Sequence, residues 1–192
     1  MLGLARRVGA RILFASTSEV YGNPEIHPQP EEYSGNVNPI GIRSCYNEGK
    51  RVAESLCYDY LRMHHIDIRI ARIFNVYGPG MQEKDYRVLP NFASLIKAEK
   101  PLTVYGSGNQ TRTFCYITDA ITGFLKVVLK GVSGEPYNIG NPEPEVSMLE
   151  LISLVKKAIP EFKIEYEITD YPETYPADEP MRRCPDINKA IN

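Results

Sequence analysis

Two kinds of apolar pattern alternate along this chain: short continuous runs, and residues recurring every three to four positions. Leu2 to Val8 reads as the closing turns of a helix, and Gly9 stands where a helix C-terminus is usually capped. Arg11 to Ser16 is a brief β-rich apolar run, the pattern of a buried parallel strand. Gly22 to Gly41 is a long polar connection carrying Pro24, Pro28, Pro30 and Pro39, and loops of that length in compact domains often carry function. Ser44 to about His65 has helical spacing, with Val52, Leu56 and Tyr60 on one stripe, and Asp67 to Phe74 reads as the next strand. Strand, loop, helix and strand in this order predict a layered βαβ arrangement.

Past Gly78-Pro79-Gly80 the pattern changes. Val88, Leu89, Phe92, Leu95 and Ile96 predict a helix that Lys100-Pro101 ends, and Leu102 to Tyr105 a short strand. Ile117 to Leu129 is a strongly apolar helix, expected to pack back on the main sheet. Ser147 and Glu150 have the spacing of a capping box, opening a helix through Ile152, Val155 and Ile159. There is no internal repeat and no low-complexity segment.

Composition adds mostly exclusions. The 192 residues are 43% hydrophobic and 24% charged, enough for one ordinary domain with a core. A net charge of -2 gives no footprint for nucleic acid or an anionic membrane. The apolar runs are far shorter than a bilayer span, and Arg6 and Arg7 break the opening as a signal peptide. Cys45, Cys57, Cys115 and Cys184 have neither zinc nor redox spacing, so free thiols are expected. His27, His64 and His65 form no ligand set, and no metal is expected.

The candidate chemistry begins with Tyr46 and Lys50, four apart on the predicted helix and therefore on one face. An ammonium beside a phenol favours the phenolate, which makes the tyrosine a general base for a sugar hydroxyl. The pair is weak evidence by itself, because chance puts tyrosine and lysine four apart in many helices. Its context is stronger: Thr17, Ser18 and Glu19 directly follow the first predicted strand, at the edge where α/β sheets bind ligands. A hydroxyl there can bridge the substrate hydroxyl and Tyr46. For Glu19 the competing reading is a carboxylate that caps the following turn.

Thr17, Ser18, Glu19, Tyr46 and Lys50 together resemble the catalytic set of the extended short-chain dehydrogenase/reductases. The stretch Asn36 to Arg51 (NVNPIGIRSCYNEGKR) is similar to the UDP-glucuronate decarboxylase, or UDP-xylose synthase, branch. So are Ala71-Arg72-Ile73-Phe74-Asn75, Pro101 to Gly108, and Gln110-Thr111-Arg112. The resemblance implies NAD as cofactor, a UDP-sugar as substrate, and three steps: oxidation at C4, loss of the C5 carboxylate as carbon dioxide, and return of hydride to C4. Tyr46, Lys50 and Thr17 would carry the oxidation, with Tyr46 and Lys50 also on the cofactor. Ser18 in place of the acid used by 4,6-dehydratases disfavours dehydration, and Glu19 separates a decarboxylase from simple 4-epimerases. Asn75, Arg87, Tyr105, Arg112 and Arg183 match positions around the sugar nucleotide, Arg183 within Asp178 to Asp186. Gly80, Tyr86 and Pro90 depart from the decarboxylase pattern, Pro90 towards the epimerase one.

The same resemblance implies an α/β fold: a partial Rossmann-type doubly wound parallel sheet whose first strands are missing, with a smaller α/β substrate-binding region. Residues 1–76 would be the C-terminal part of the NAD-binding domain and 77–192 mainly the substrate region, with 115–140 returning to the sheet. No glycine-rich dinucleotide loop precedes Thr17, and Gly106-Ser107-Gly108 reads as a turn. An N-terminally truncated chain that binds NAD weakly and is inactive alone is therefore expected. Relatives in the family form homodimers through the Tyr46 helix and the one before it. A reducing, cytoplasmic setting is expected, with the Golgi or ER lumen as the other option. A UDP-sugar 4-epimerase and a non-catalytic partner of a full-length enzyme are the rival functions.

Overall fold

A computed structural model describes residues 1–83, 85, 87–171 and 180–192. Tyr86, Asp178 and Glu179, singled out above, lie outside the described residues. The first lobe is a parallel three-stranded sheet in the order β1 (Ile12–Thr17), β2 (Ile68–Ile73), β7 (Pro136–Ile139). Its register runs from Ile12 opposite Ile68 to Thr17 opposite Ile73, and from Ile70 opposite Pro136 to Ile73 opposite Ile139. Side chains alternate across the sheet, so each strand feeds two cores. Ile12, Phe14, Ile68 and Ile70 pack with Ala5 of α1 (Leu2–Val8) and Cys57 of α2 (Ser44–His64). Leu13, Ala71, Tyr137 and Ile139 pack on the other face with Ala120 and Val127 of α4 (Ile117–Lys130). Gly9 caps α1 with φ of 65°, and His65 ends α2 with φ of 52°.

A second lobe is built from the chain between β2 and α4 and from the chain after β7. β3 (Val76–Tyr77) pairs with β6 (Cys115–Tyr116), and β4 (Leu102–Tyr105) with β9 (Tyr166–Thr169). β5 (Thr111–Arg112) lies between β8 (Val146–Ser147), antiparallel, and β10 (Arg182–Arg183), parallel. The core of this lobe gathers Phe92 of α3 (Val88–Lys97), Leu102 and Val104 of β4, and Leu151 and Ile152 of α5 (Met148–Ala158). The capping box at α5 is present in both directions: the Ser147 hydroxyl accepts from Glu150 N, and the Glu150 carboxylate accepts from Ser147 N. Such a cap contributes about 1 kcal/mol. The short α6 (Asn188–Ile191) returns to the first lobe, where Lys189 pairs with Glu135 at 2.5 Å.

The helix α2 departs from the simplest reading of its apolar stripe. Val52 and Leu56 are 55% and 48% exposed, while the buried stripe is Asn47, Glu54 and Cys57. The reason is a polar cluster under the helix that needs Glu54. Arg72 of β2 donates from Nε to Glu54 Oε1 at 3.1 Å and from Nη2 to Glu54 Oε2 at 2.7 Å. The same guanidinium reaches the Tyr21 hydroxyl at 2.9 Å and the Glu31 carbonyl at 2.8 Å, and Ser16 Oγ donates to Glu54 Oε1 at 2.5 Å. Tyr21 in turn donates to Asn138 Oδ1 at 2.8 Å, which ties in β7. A buried ion pair saturated in this way tolerates its desolvation, whereas half of one does not.

The four thiols are free, as expected: Cys45 is exposed, and burial pushes the Cys57 thiol up to about 11. No helix among the described residues is long and apolar enough to cross a membrane. Two stability measurements probe the Arg72 cluster. Glu54→Ala leaves the Arg72 charge buried without its carboxylate, and is expected to lower the unfolding free energy by about 3–5 kcal/mol in urea titration. Burial, partly offset by Arg72, pushes the Tyr21 phenol up to about 12. An unfolded tyrosine releases its proton near 10. The folded state therefore holds the proton longer, so this contribution is complete below about 10 and is lost as the pH rises through about 12. The difference in stability between wild type and Tyr21→Phe should shrink over that window; a constant difference would refute the assignment.

Candidate functional site

The carboxyl ends of β1 and β2 bring most of the candidate residues together. Ile12 N donates to Asp67 O, so the backbone groups of Ile12, Phe14 and Ser16 face β2 and those of Leu13, Ala15 and Thr17 face the outer edge of the sheet. Lys50 uses that edge: its Nζ donates to Ala15 O at 2.8 Å and lies 5.3 Å from the Phe14 ring centroid. Tyr46, one turn earlier on α2, has its ring centroid 5.9 Å from Lys50 Nζ and is 49% exposed. The pair does share one face. The lysine has one of its three donors on the strand and two to spare, and the phenol is open to a ligand.

Thr17 closes β1 and caps the 3-10 turn Ser18–Tyr21, its hydroxyl accepting from Glu19 N at 3.3 Å. The cap is therefore the threonine, which leaves the Glu19 carboxylate for another task. Gly22 ends the turn at φ of 62°, and a Cβ there would lie 2.0 Å from the Asn36 carbonyl oxygen. Only glycine lets the loop return so closely under the turn. Thr17, Ser18 and Glu19 are all buried, at 8%, 4% and 5% exposure.

Glu19 Oε1 is held by two arginines, Arg43 Nη2 at 2.9 Å and Arg183 Nη2 at 2.7 Å. Arg183 also donates from Nη1 to Asn75 Oδ1 at 3.4 Å, and the Asn75 amide donates to Thr113 O at 2.9 Å. Asn75 sits just after β2 at φ of 36°, a left-handed conformation that asparagine accepts more readily than most residues. Arg183 and Arg112 are direct neighbours in the β10–β5 register, and Arg112 Nη1 donates to Thr111 O at 2.7 Å and Met181 O at 3.3 Å. The segment with Arg183 is fastened by Gln29, which is fully buried. Its Oε1 accepts from Cys184 N at 2.9 Å, its Nε2 donates to Ile26 O at 3.0 Å, and its backbone N donates to Cys184 O at 2.8 Å.

Glu19, Asn75 and Arg183 therefore form one connected cluster, with Arg112 alongside. Arg87 and Tyr105 are placed otherwise. Arg87 is bound to Asp85, whose carboxyl that guanidinium holds below the usual carboxylate range, and Tyr105 stacks on Tyr171 with centroids 6.0 Å apart. Arg43 was not among the residues expected to matter. Its signal was available, since it stands three positions before Tyr46 in the stretch that carried the resemblance. Among the described residues no group of His, Cys, Asp and Glu could hold a metal. The set on hand is a phenol, an ammonium, a hydroxyl, and a carboxylate fixed between guanidiniums. That set can move a proton from a hydroxyl and hold an anionic ligand.

Sequence and fold are both similar to those of known proteins. The model of the NAD dependent epimerase/dehydratase family matches residues 1–140. UDP-glucuronic acid decarboxylase 3 of Arabidopsis thaliana is 56% identical over 191 residues, covering 99% of this chain and 54% of the relative. UDP-glucuronic acid decarboxylase 1 of Danio rerio is 50% identical, over 99% of this chain and 44% of the relative. The chain thus spans about half the length of the curated relatives it matches. Among solved structures, UDP-glucuronic acid 4-epimerase of Bacillus cereus, in complex with UDP-glucuronic acid and NAD, superimposes with a TM-score of 0.82 at 31% identity, covering 98% of this chain and 57% of that one. A family model matching nearly three quarters of the sequence, on a parallel sheet with this set at its carboxyl edge, settles the membership: the chain belongs to the NAD dependent epimerase/dehydratase family.

Proposed function

We propose that this chain carries the catalytic groups for NAD-dependent decarboxylation of UDP-glucuronate to UDP-xylose. The observation that carries the reading is Glu19, buried at the end of β1 and clamped by Arg43 and Arg183, beside an open Tyr46 and an anchored Lys50. The identity of 56% to an Arabidopsis decarboxylase supports it.

In this reading Tyr46 takes the proton of the sugar C4 hydroxyl, with Thr17 bridging and the Lys50 ammonium 5.9 Å from the tyrosine ring. NAD, when bound, supplies the redox chemistry at C4. Lys50 fits its ribose end, because the ammonium is held by Ala15 O and keeps two donors. A ketone at C4 makes the C5 carboxylate that of a β-keto acid, which loses carbon dioxide; Glu19 and the arginines around it fix the charges there. Asn75, Arg112 and Arg183 serve the sugar nucleotide, with Arg87 and Tyr105 at its nucleotide end.

The rival within the family is 4-epimerisation, favoured by the likeness to the Bacillus cereus epimerase and by Pro90. The two part at the product. Because the chain spans 54% of the Arabidopsis relative, turnover of UDP-glucuronate is best measured for the chain and for a fusion behind that relative's amino-terminal portion. UDP-xylose and carbon dioxide are expected from the fusion, and an epimer that keeps its carboxylate would replace this reading with the rival. Tyr46→Phe should lower kcat by at least about 10²-fold with UDP still bound; undiminished turnover would sink the role of Tyr46.

The reading extends to a pair of copies. Val52, Leu56 and Met63 on α2, with Leu4 and Val8 on α1, form an exposed apolar face at 55%, 48%, 72%, 45% and 62%. Sedimentation should give a dimer that Leu56→Asp splits into monomers, and a wild-type monomer would remove the proposal.

A further inference from the structure

The two arginines on Glu19 are not equivalent. Arg183 is nearly enclosed, with its side chain 10% exposed, and is fixed by Asn75 and by the Gln29-fastened backbone. Arg43 approaches the same oxygen from the first residue before α2, and its side chain keeps 30% exposure. One guanidinium nitrogen, Nη2, makes its contact with Glu19, and Glu19 is the sole side-chain partner of Arg43 among the described residues. If Arg43 leaves, Glu19 gives up the hydrogen bond from Nη2 but keeps the ion pair with Arg183 at 2.7 Å, so its buried charge is not orphaned. Arg43, the more exposed of the two, is therefore the cation of this cluster that can change partners once another anion replaces the bond it gives up.

A sugar that carries a carboxylate at C5 sets a second anion beside Glu19. Two carboxylates a few ångströms apart repel unless a cation lies between them. A neutral hydroxymethyl group at the same carbon meets no such repulsion and gains nothing from a second guanidinium. Arginine suits the exchange because its planar fork presents further N–H donors after one is used. We propose that Arg43 selects the carboxylate: on binding it gives up Glu19 Oε1 to Arg183 and turns to the C5 carboxylate of the sugar nucleotide. This rests on the nucleotide-uronate reading above and adds a specificity residue to it. Its backbone carbonyl meanwhile accepts from Tyr46 N and Asn47 N, both at 3.0 Å, so the selecting side chain is attached to the first turn of the helix bearing the base.

The test is binding, by calorimetry, of UDP-glucuronate and UDP-glucose to the chain itself. These ligands differ only in carboxylate against hydroxymethyl at C5. The wild type should prefer UDP-glucuronate. Arg43→Gln should weaken UDP-glucuronate about tenfold more than UDP-glucose, a change of one charge-assisted hydrogen bond. Arg43→Lys should fall between, keeping the charge but losing the fork. Circular dichroism of both variants checks that α2 is intact. An Arg43→Gln variant with the wild-type preference overturns the assignment, and so does a wild type with no preference. Neither outcome touches the product of turnover, so this inference and the proposed reaction fail separately.

Discussion

The site depends on one buried cation. Arg72 stands in the middle strand of the first sheet and holds Glu54 of α2, the Tyr21 hydroxyl at the end of the 3-10 turn, and the Glu31 carbonyl of the loop. Through Tyr21 it reaches Asn138 on β7, whose own amide donates to Gln29 O of the loop at 2.8 Å. A charge so placed needs each of these partners, and in satisfying it the chain fixes the distance between β1 and α2. That distance is what sets Lys50 on Ala15 O and Tyr46 on the same side as Glu19. Hydrophobic contacts pack α2 on the sheet, but they are non-directional and would permit it to slide or roll. The guanidinium fork does not.

Much of the architecture was legible because it follows from periodicity and local chemistry. Leu2–Val8 with its glycine cap, Ile12–Thr17, the long helix from Ser44, and the Ser147–Glu150 box all form where pattern and capping put them. The short strands were not legible. β5, β8 and β10 are two residues each, too brief for any period, and they pair only because distant segments meet. The outward stripe of α2 could be read as a stripe but not as a direction. Which side of a helix is buried depends on what lies beneath it, and here that is the arginine of a strand that follows the helix in sequence.

The site divides in the same way. Tyr46, Lys50, Thr17 and Glu19 could be named from spacing and resemblance, since a helix repeat and a strand end fix their neighbourhood. The partners of Glu19 could not be ranked. Arg43 and Arg183 lie 24 and 164 residues away in sequence, and nothing local says that both end on one oxygen. Arg87 and Tyr105 lie outside that cluster, with Asp85 and Tyr171, neighbours that spacing does not announce.

The clasp at Gln29 also orders events in time. It joins residues 155 apart, linking an early loop to the strand that bears Arg183. Closing a loop of that length costs more chain entropy than closing a local turn. Residue 183 is also made long after residues 19 and 43, so of the two arginines on Glu19 only Arg43 is available until then. The Glu19 cluster has both of its arginines only when residues 182–186 lie against the loop.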